Sequence, residues 1–175
     1  MDSAITKITP LKFGQVLFVL SLKEYETFKK DKNLLKSLDL MEIKNEYHFF
    51  QEMIVANLFA ISQSMQGALK NRDLEFLILD YMNETYFSYL QTELKLNNSM
   101  LNDQKKLFLL RFKEYNNALS EKRGPNILWP LACHIINNLR KEDIKDSIMV
   151  MKMMAHYSYL IQYYSTIITK YQVVQ

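Results

Sequence analysis

The sequence contains very little glycine. Gly14, Gly67 and Gly124 are its only three glycines, whereas an average protein contains about 7% glycine. A loop that holds a phosphate needs glycine, because its backbone must approach the ligand closely and adopt positive φ angles. The sequences G-x-G-x-x-G and G-x-x-x-x-G-K-[ST] do not occur, so we do not expect a nucleotide-binding fold of either type. Scarce glycine and proline instead favour long, uninterrupted helices.

Cysteine is almost absent. Cys133 is the only one, so no disulfide can form within the chain. This fits a reducing compartment, and we expect a cytoplasmic location. His134 follows Cys133 directly, but adjacent helical residues point about 100° apart, so the pair is poorly placed for nucleophilic catalysis. A cysteine in a helix rich in leucine and isoleucine is most simply a small buried side chain.

The sequence also lacks a strong charge of either sign, since its formal net charge is only +3. Basic residues concentrate over residues 29–36 and 105–113, without the large excess typical of a nucleic-acid-binding protein. We interpret both tracts as solvent-exposed helix faces and expect no nucleic-acid partner.

Long hydrophobic runs are missing as well. The apolar stretch over residues 13–22 has the length of a signal-peptide core, but Asp2 and Gln15 argue against that function. A buried first helix or strand is the interpretation that we favour. Residues 153–169 carry no charge. However, this segment is shorter than the about 20 apolar residues that a membrane span needs, and it contains several polar side chains. We therefore expect no membrane span.

Metal-binding and catalytic patterns are not found. Glu-x-x-His and H-E-x-x-H, which place metal ligands on one helix face, do not occur. The nearest approach pairs His48 with Glu52 and Asp80 with Glu84, each four residues apart. Such pairs are common on helix surfaces and weakly stabilising. We therefore assign no metal ligand, no cofactor and no catalytic residue.

Apolar residues recur every three or four positions along most of the chain, which predicts helices. Thr9 and Pro10 form a typical helix start. Further helices are expected over residues 40–69 (capped by Asp39), 72–96, 102–121, from the turn containing Pro130 to about 141, and from 143 or 147 to about 171. The second of these carries apolar rows on two sides and should be central. The prediction is an all-α fold, a compact single-domain array or bundle of about six helices over residues 1–175, with residues 1–8 a loose N-terminal arm.

The last predicted helix contains the segment MVMKMMAHYSYLIQYY, residues 149–164. On a helical wheel most of its methionines, isoleucines and tyrosines form one uncharged arc about 140° wide, which is typical of a core-facing surface. A second stripe runs beside this arc and consists of Lys152, His156, Tyr159 and Tyr163. Tyrosine and histidine are favoured where one side is apolar and the other polar. We therefore predict that these four residues contribute to a partner-binding surface.

These observations favour a non-enzymatic, soluble helical domain of the adaptor or regulatory type. Its partner would be another protein or a second copy of the chain. The alternative is a small-molecule or haem-binding sensor or carrier, with an apolar pocket between helices. A metal-dependent enzyme is the third possibility.

Overall fold

The computed structural model describes residues 6–43, 45–121, 127–144 and 146–174. These residues form a compact all-α fold with two very short strands, which confirms the predicted fold class. In the described ranges there are seven helices rather than six, because a single-turn helix follows the first one. The elements are β1 (Thr6–Ile8), α1 (Pro10–Lys30), α2 (Lys32–Ser37), α3 (Glu46–Ala68), α4 (Arg72–Thr92), α5 (Asn98–Glu121), α6 (Leu128–Arg140), α7 (Ser147–Ile168) and β2 (Tyr171–Val173).

Side chains that cap the backbone set the start of several helices. The Thr9 hydroxyl accepts a hydrogen bond from the Lys12 N–H at 3.3 Å, and Pro10 occupies the first helical position, as predicted. Asn71 caps α4 in the same way, because its side chain accepts from the Leu74 N–H. A capping oxygen satisfies one of the four N–H groups that a helix start leaves unpaired.

The predicted cap at Asp39 is wrong. Asp39 has a φ of 52°, which is not a capping conformation, and its carboxylate pairs with Arg140 of α6 at 2.6 Å. The helix begins later, at Glu46, and Asn45 is its cap. Residues 40–43 are an irregular connection. An aspartate in the left-handed region ends the preceding turn instead of opening a helix.

Helix α3 is the central helix, as its two apolar rows predicted. Every side chain from Phe49 to Ser62 is buried, and α3 packs against α1, α4, α5, α6 and α7. A helix that is buried on all sides needs neighbours on all sides. The other long helices therefore lie around α3, and the buried hydrophobic side chains form one continuous core cluster.

Helices α1 and α4 lie in close contact at Gly14. A Cβ atom placed on Gly14 would lie 2.8 Å from the backbone nitrogen of Met82 and 2.9 Å from the carbonyl oxygen of Ile78. Only glycine fits against that backbone, so Gly14 sets the separation of the two helices.

The two strands join the two ends of the described chain. Strands β1 and β2 pair in parallel, with Ile8 opposite Val173, and the Phe13 and Tyr171 rings lie 5.1 Å apart. Of the arm predicted over residues 1–8, residues 6–8 are therefore strand, and residues 1–5 lie outside the described part. Helix α7 ends at Ile168, three residues before the predicted end, because the chain turns into β2.

None of the helices in the described ranges is long and apolar enough to cross a membrane.

Candidate protein-binding surface on α7

Helix α7 is fixed by its cap and by an apolar inner face. The Asp146 carboxylate accepts hydrogen bonds from the backbone N–H groups of Ile148 and Met149. Six side chains on the inner face are buried, namely Val150, Met153, Tyr157, Leu160, Tyr164 and Ile168. The Tyr157 hydroxyl donates to the Ala56 carbonyl of α3 at 3.3 Å. This face matches the uncharged arc predicted from the sequence.

Two members of the predicted stripe lean towards α1. The His156 ring centre lies 4.9 Å from that of Phe28. Burial lowers the pKa of His156 to about 4, although the nearby charge of Asp31 acts in the opposite direction. His156 is therefore neutral at pH 7, and most of its ring is engaged within the fold.

Tyr163 is the second inward member of the stripe. Its hydroxyl acts on the pKa of Glu24 of α1, a residue that is only 7% exposed. Burial raises the pKa of Glu24, partly offset by Lys23 and by Tyr163. Tyr163 therefore favours the ionised form of this carboxyl group, and its ring is half-buried.

The other two members, Lys152 and Tyr159, point outward. Lys152 is exposed, and Tyr159 is 53% exposed. The Tyr159 ring stacks on Tyr163 with centres 5.9 Å apart and planes inclined by 20°. The stripe is thus divided: its outer half can meet another molecule, and its inner half joins α7 to α1.

The structure adds three apolar residues that the sequence prediction missed. Ile148 is 59% exposed and Met151 is 47% exposed, and Ala155 lies between them and Tyr159 on the same exposed side. At 100° per residue, Ile148, Ala155 and Tyr159 fall within about 40° of one another. This repeated spacing is visible in the sequence. The three residues were missed because the core-facing arc on the opposite side already explained most of the apolar residues of the helix. We name Ile148, Met151, Lys152, Ala155 and Tyr159 the α7 outer face.

The histidines do not converge. The Nε2 atom of His48 lies 2.8 Å from the Asn138 carbonyl oxygen, His156 packs on Phe28, and His134 is half-buried on α6. Across the described ranges, no three side chains from histidine, cysteine, aspartate and glutamate are arranged to hold a metal ion. Asp80 and Glu84 are both exposed on α4.

Glu52, considered above as a neighbour of His48, has a structural partner instead. Its carboxylate accepts two hydrogen bonds from Arg111 of α5, each 2.8 Å long, and it is 1% exposed. Burial alone would lower the pKa of Arg111, but the hydrogen bonds and charge of Glu52 and Glu114 raise it. This bidentate pair ties α5 to the central helix, and its geometry explains why two charges are tolerated there.

Comparisons with protein-family models, with curated proteins and with solved structures gave no match.

Proposed function

We propose that this protein works by protein–protein interaction, as an adaptor or regulatory domain, and that the α7 outer face is its contact surface. The observation that carries the proposal is the composition of this exposed face. Three large side chains, Ile148, Met151 and Tyr159, are each about half exposed, and Lys152 is the only lysine, arginine, aspartate or glutamate within α7 itself. Contiguous exposed apolar side chains are typical of interaction sites.

A second copy of the chain is the partner that this surface fits. Ala155 lies near the middle of the face and has a small side chain, so it allows two helices to approach closely. If two α7 helices cross antiparallel at Ala155, Met151 of one copy lies opposite Tyr159 of the other. A sulfur–aromatic contact of this kind is favourable. The pairing is self-complementary, as a two-fold interface must be.

Charge does not oppose this pairing. The two Lys152 side chains would be separated by about 9 Å along the helix axis at 1.5 Å per residue. Each lies at the edge of the face, so its ammonium group remains in water. One helix face buries less area than a standard interface, so we expect a dissociation constant in about the micromolar range.

Sedimentation equilibrium between about 5 and about 500 μM tests the proposal, since this range brackets a micromolar dissociation constant. The wild type should change from monomer to dimer over the series, and Ala155→Arg should remain monomeric. Leu109→Arg is the matched control, because Leu109 is 67% exposed on α5, and it should dimerise like the wild type. Arginine is a good helix former, so neither substitution should change the melting temperature appreciably.

A wild type that stays monomeric over the whole series would contradict the proposal. Equal dimerisation of the Ala155→Arg protein would contradict the assignment of the surface. The proposed role belongs in the cytoplasm, in keeping with a chain that has a single cysteine.

A further inference from the structure

A cleft separate from the α7 outer face opens between α1, the first turns of α3 and the end of α4. Its volume is about 530 Å³, within the roughly 300–1,000 Å³ range of small-molecule sites. Four aromatic residues line it, namely Tyr25, Tyr47, Phe50 and Tyr89. Leu22 and Leu94 add aliphatic surface.

The aromatic rings in this cleft support one another. Tyr25 and Phe50 meet edge to face with centres 5.1 Å apart, and Phe50 and Tyr89 lie 6.2 Å apart. Tyr25, Phe50 and Tyr89 come from three different helices, so the packing of α1, α3 and α4 places them together. A ligand would find this aromatic wall already assembled, which lowers the cost of binding.

Both charged residues in the described lining of the cleft are acidic. They are Glu26 of α1 and Glu46 of α3. Glu26 pairs with Lys30 at 3.9 Å, and Glu46 pairs with Lys29 at 3.4 Å. Ion pairs at the surface contribute little to stability. Desolvation raises the pKa of Tyr25, Lys29 lowers it, and both glutamates raise it. The charges of Lys29 and of both carboxylates therefore reach the interior of the cleft.

We propose that this cleft binds a small organic ammonium ion, with the aromatic rings around the cation and Glu26 and Glu46 supplying negative charge. Aromatic rings attract cations through their negative faces, most strongly where water is excluded. Among the residues that the structure describes, the lining of the cleft contains no lysine or arginine. A neutral apolar ligand would gain nothing from the carboxylates. This proposal does not depend on dimerisation through α7.

Choline and its neutral carbon isostere 3,3-dimethylbutan-1-ol are the probes that test the cation requirement. The methyl resonances of Leu22 and Leu94 report binding in an NMR titration of the full chain. Choline should saturate these shifts, and the isostere should bind at least about tenfold more weakly, since it has the same shape without the charge. Equal affinities would overturn the cation assignment, and the lack of a shift with either probe would overturn the site.

Phosphocholine distinguishes a free ammonium ion from a phospholipid headgroup as the source of the cation. It carries the same ammonium group and an added phosphate, which Glu26 and Glu46 should repel. We expect phosphocholine to bind at least about fivefold more weakly than choline. Phosphocholine binding as tight as that of choline would contradict the role of the two carboxylates.

Two substitutions at the rim should act in opposite directions. Glu46→Gln removes a negative charge and should weaken choline binding about fivefold, whereas Lys29→Met removes the competing cation of Glu46 and should strengthen it. Glu84→Gln is the control, because Glu84 is exposed on α4 and does not line the cleft. If Glu46→Gln and Glu84→Gln changed the affinity for choline equally, the assignment of the binding site to this cleft would be refuted.

Discussion

At the scale of single residues, His156 gives the fold a pH dependence. The pKa of His156 is about 4 in the folded protein, and the ordinary value of a histidine, which applies to the unfolded chain, is 6.5. As the pH falls, His156 therefore binds a proton in the unfolded chain before it does so in the folded protein. The stabilisation of the folded state by neutral His156 is therefore complete above pH 6.5, and it is lost progressively as the pH decreases to about 4.

We predict that the free energy of unfolding of the wild type falls by about 2–3 kcal/mol more than that of His156→Gln between pH 7 and pH 4. Urea denaturation at several pH values measures the difference. Subtracting the variant removes the contribution of Glu24 and of the other carboxyl groups. Parallel curves for the two proteins would show that His156 is not protected from protonation in the folded state.

The buried pair of Glu52 and Arg111 makes a second prediction. Arg111→Met leaves the carboxylate of Glu52 buried without its bidentate partner, so the free energy of unfolding should fall by about 3–5 kcal/mol. The double variant Glu52→Leu with Arg111→Met removes both charges and should lose much less. Chemical denaturation of the two proteins separates these cases. If the double variant were as unstable as Arg111→Met, the cost would lie in packing rather than in an unpaired charge.

The sequence predicted residue environments well where helical periodicity alone decides them. Tyr157 and Tyr164 lie seven residues apart and are both buried, as their positions on the wheel required. The burial of His156 depends on Phe28, a residue of another helix, and no local pattern contains that information. The same holds for Glu52, whose partner Arg111 belongs to α5.

At the scale of helices, the two described glycines have opposite roles. Gly14→Ala would place a Cβ within 3 Å of the α4 backbone, so α1 and α4 must separate. We expect the free energy of unfolding to fall by about 1–3 kcal/mol, as at other overpacked sites. At Gly67, near the end of α3, an added Cβ meets nothing within 4 Å. Gly67→Ala should therefore gain about 0.5–1 kcal/mol from helix propensity.

Thermal denaturation of the two variants beside the wild type measures both effects. The melting temperature should fall for Gly14→Ala and rise for Gly67→Ala. A Gly14→Ala protein as stable as the wild type would mean that the two helices are not held at this close approach.

Helix boundaries were predictable where a local cap defines them. Thr9 with Pro10 is such a case, because the signal lies within two residues. At Asp39 the local signal was misleading, since its carboxylate meets Arg140 of α6 instead of a helix start. The single-turn helix α2 was missed because six residues are too few to show an apolar period.

At the scale of the whole molecule, the spatial order of the helices could not be predicted from the sequence. The two apolar sides of α3 indicated a central helix, but they did not identify its neighbours. The parallel pairing of β1 with β2 joins residues from the two ends of the described chain, and three-residue strands carry too little alternation to be recognised. The α7 outer face became visible only once the packed side of α7 was known.

In the proposed dimer, two copies of the chain meet through the α7 outer face at Ala155. Cysteine cross-linking tests this pairing, in a background in which Cys133 is replaced by alanine. An antiparallel crossing at Ala155 brings its Cα close to the same atom of the other copy, within the roughly 4.4–6.8 Å that a disulfide allows. Thr166, exposed further along the same helix, and Leu109 of α5 provide the comparison sites.

Under mild oxidation, Ala155→Cys should form a covalent dimer at least about tenfold faster than Leu109→Cys or Thr166→Cys, because only residue 155 lies on the proposed two-fold axis. Fast cross-linking at both 155 and 166 would indicate a parallel pairing. Cross-linking at 155 no faster than at 109 would contradict the claim that this face joins two copies of the protein.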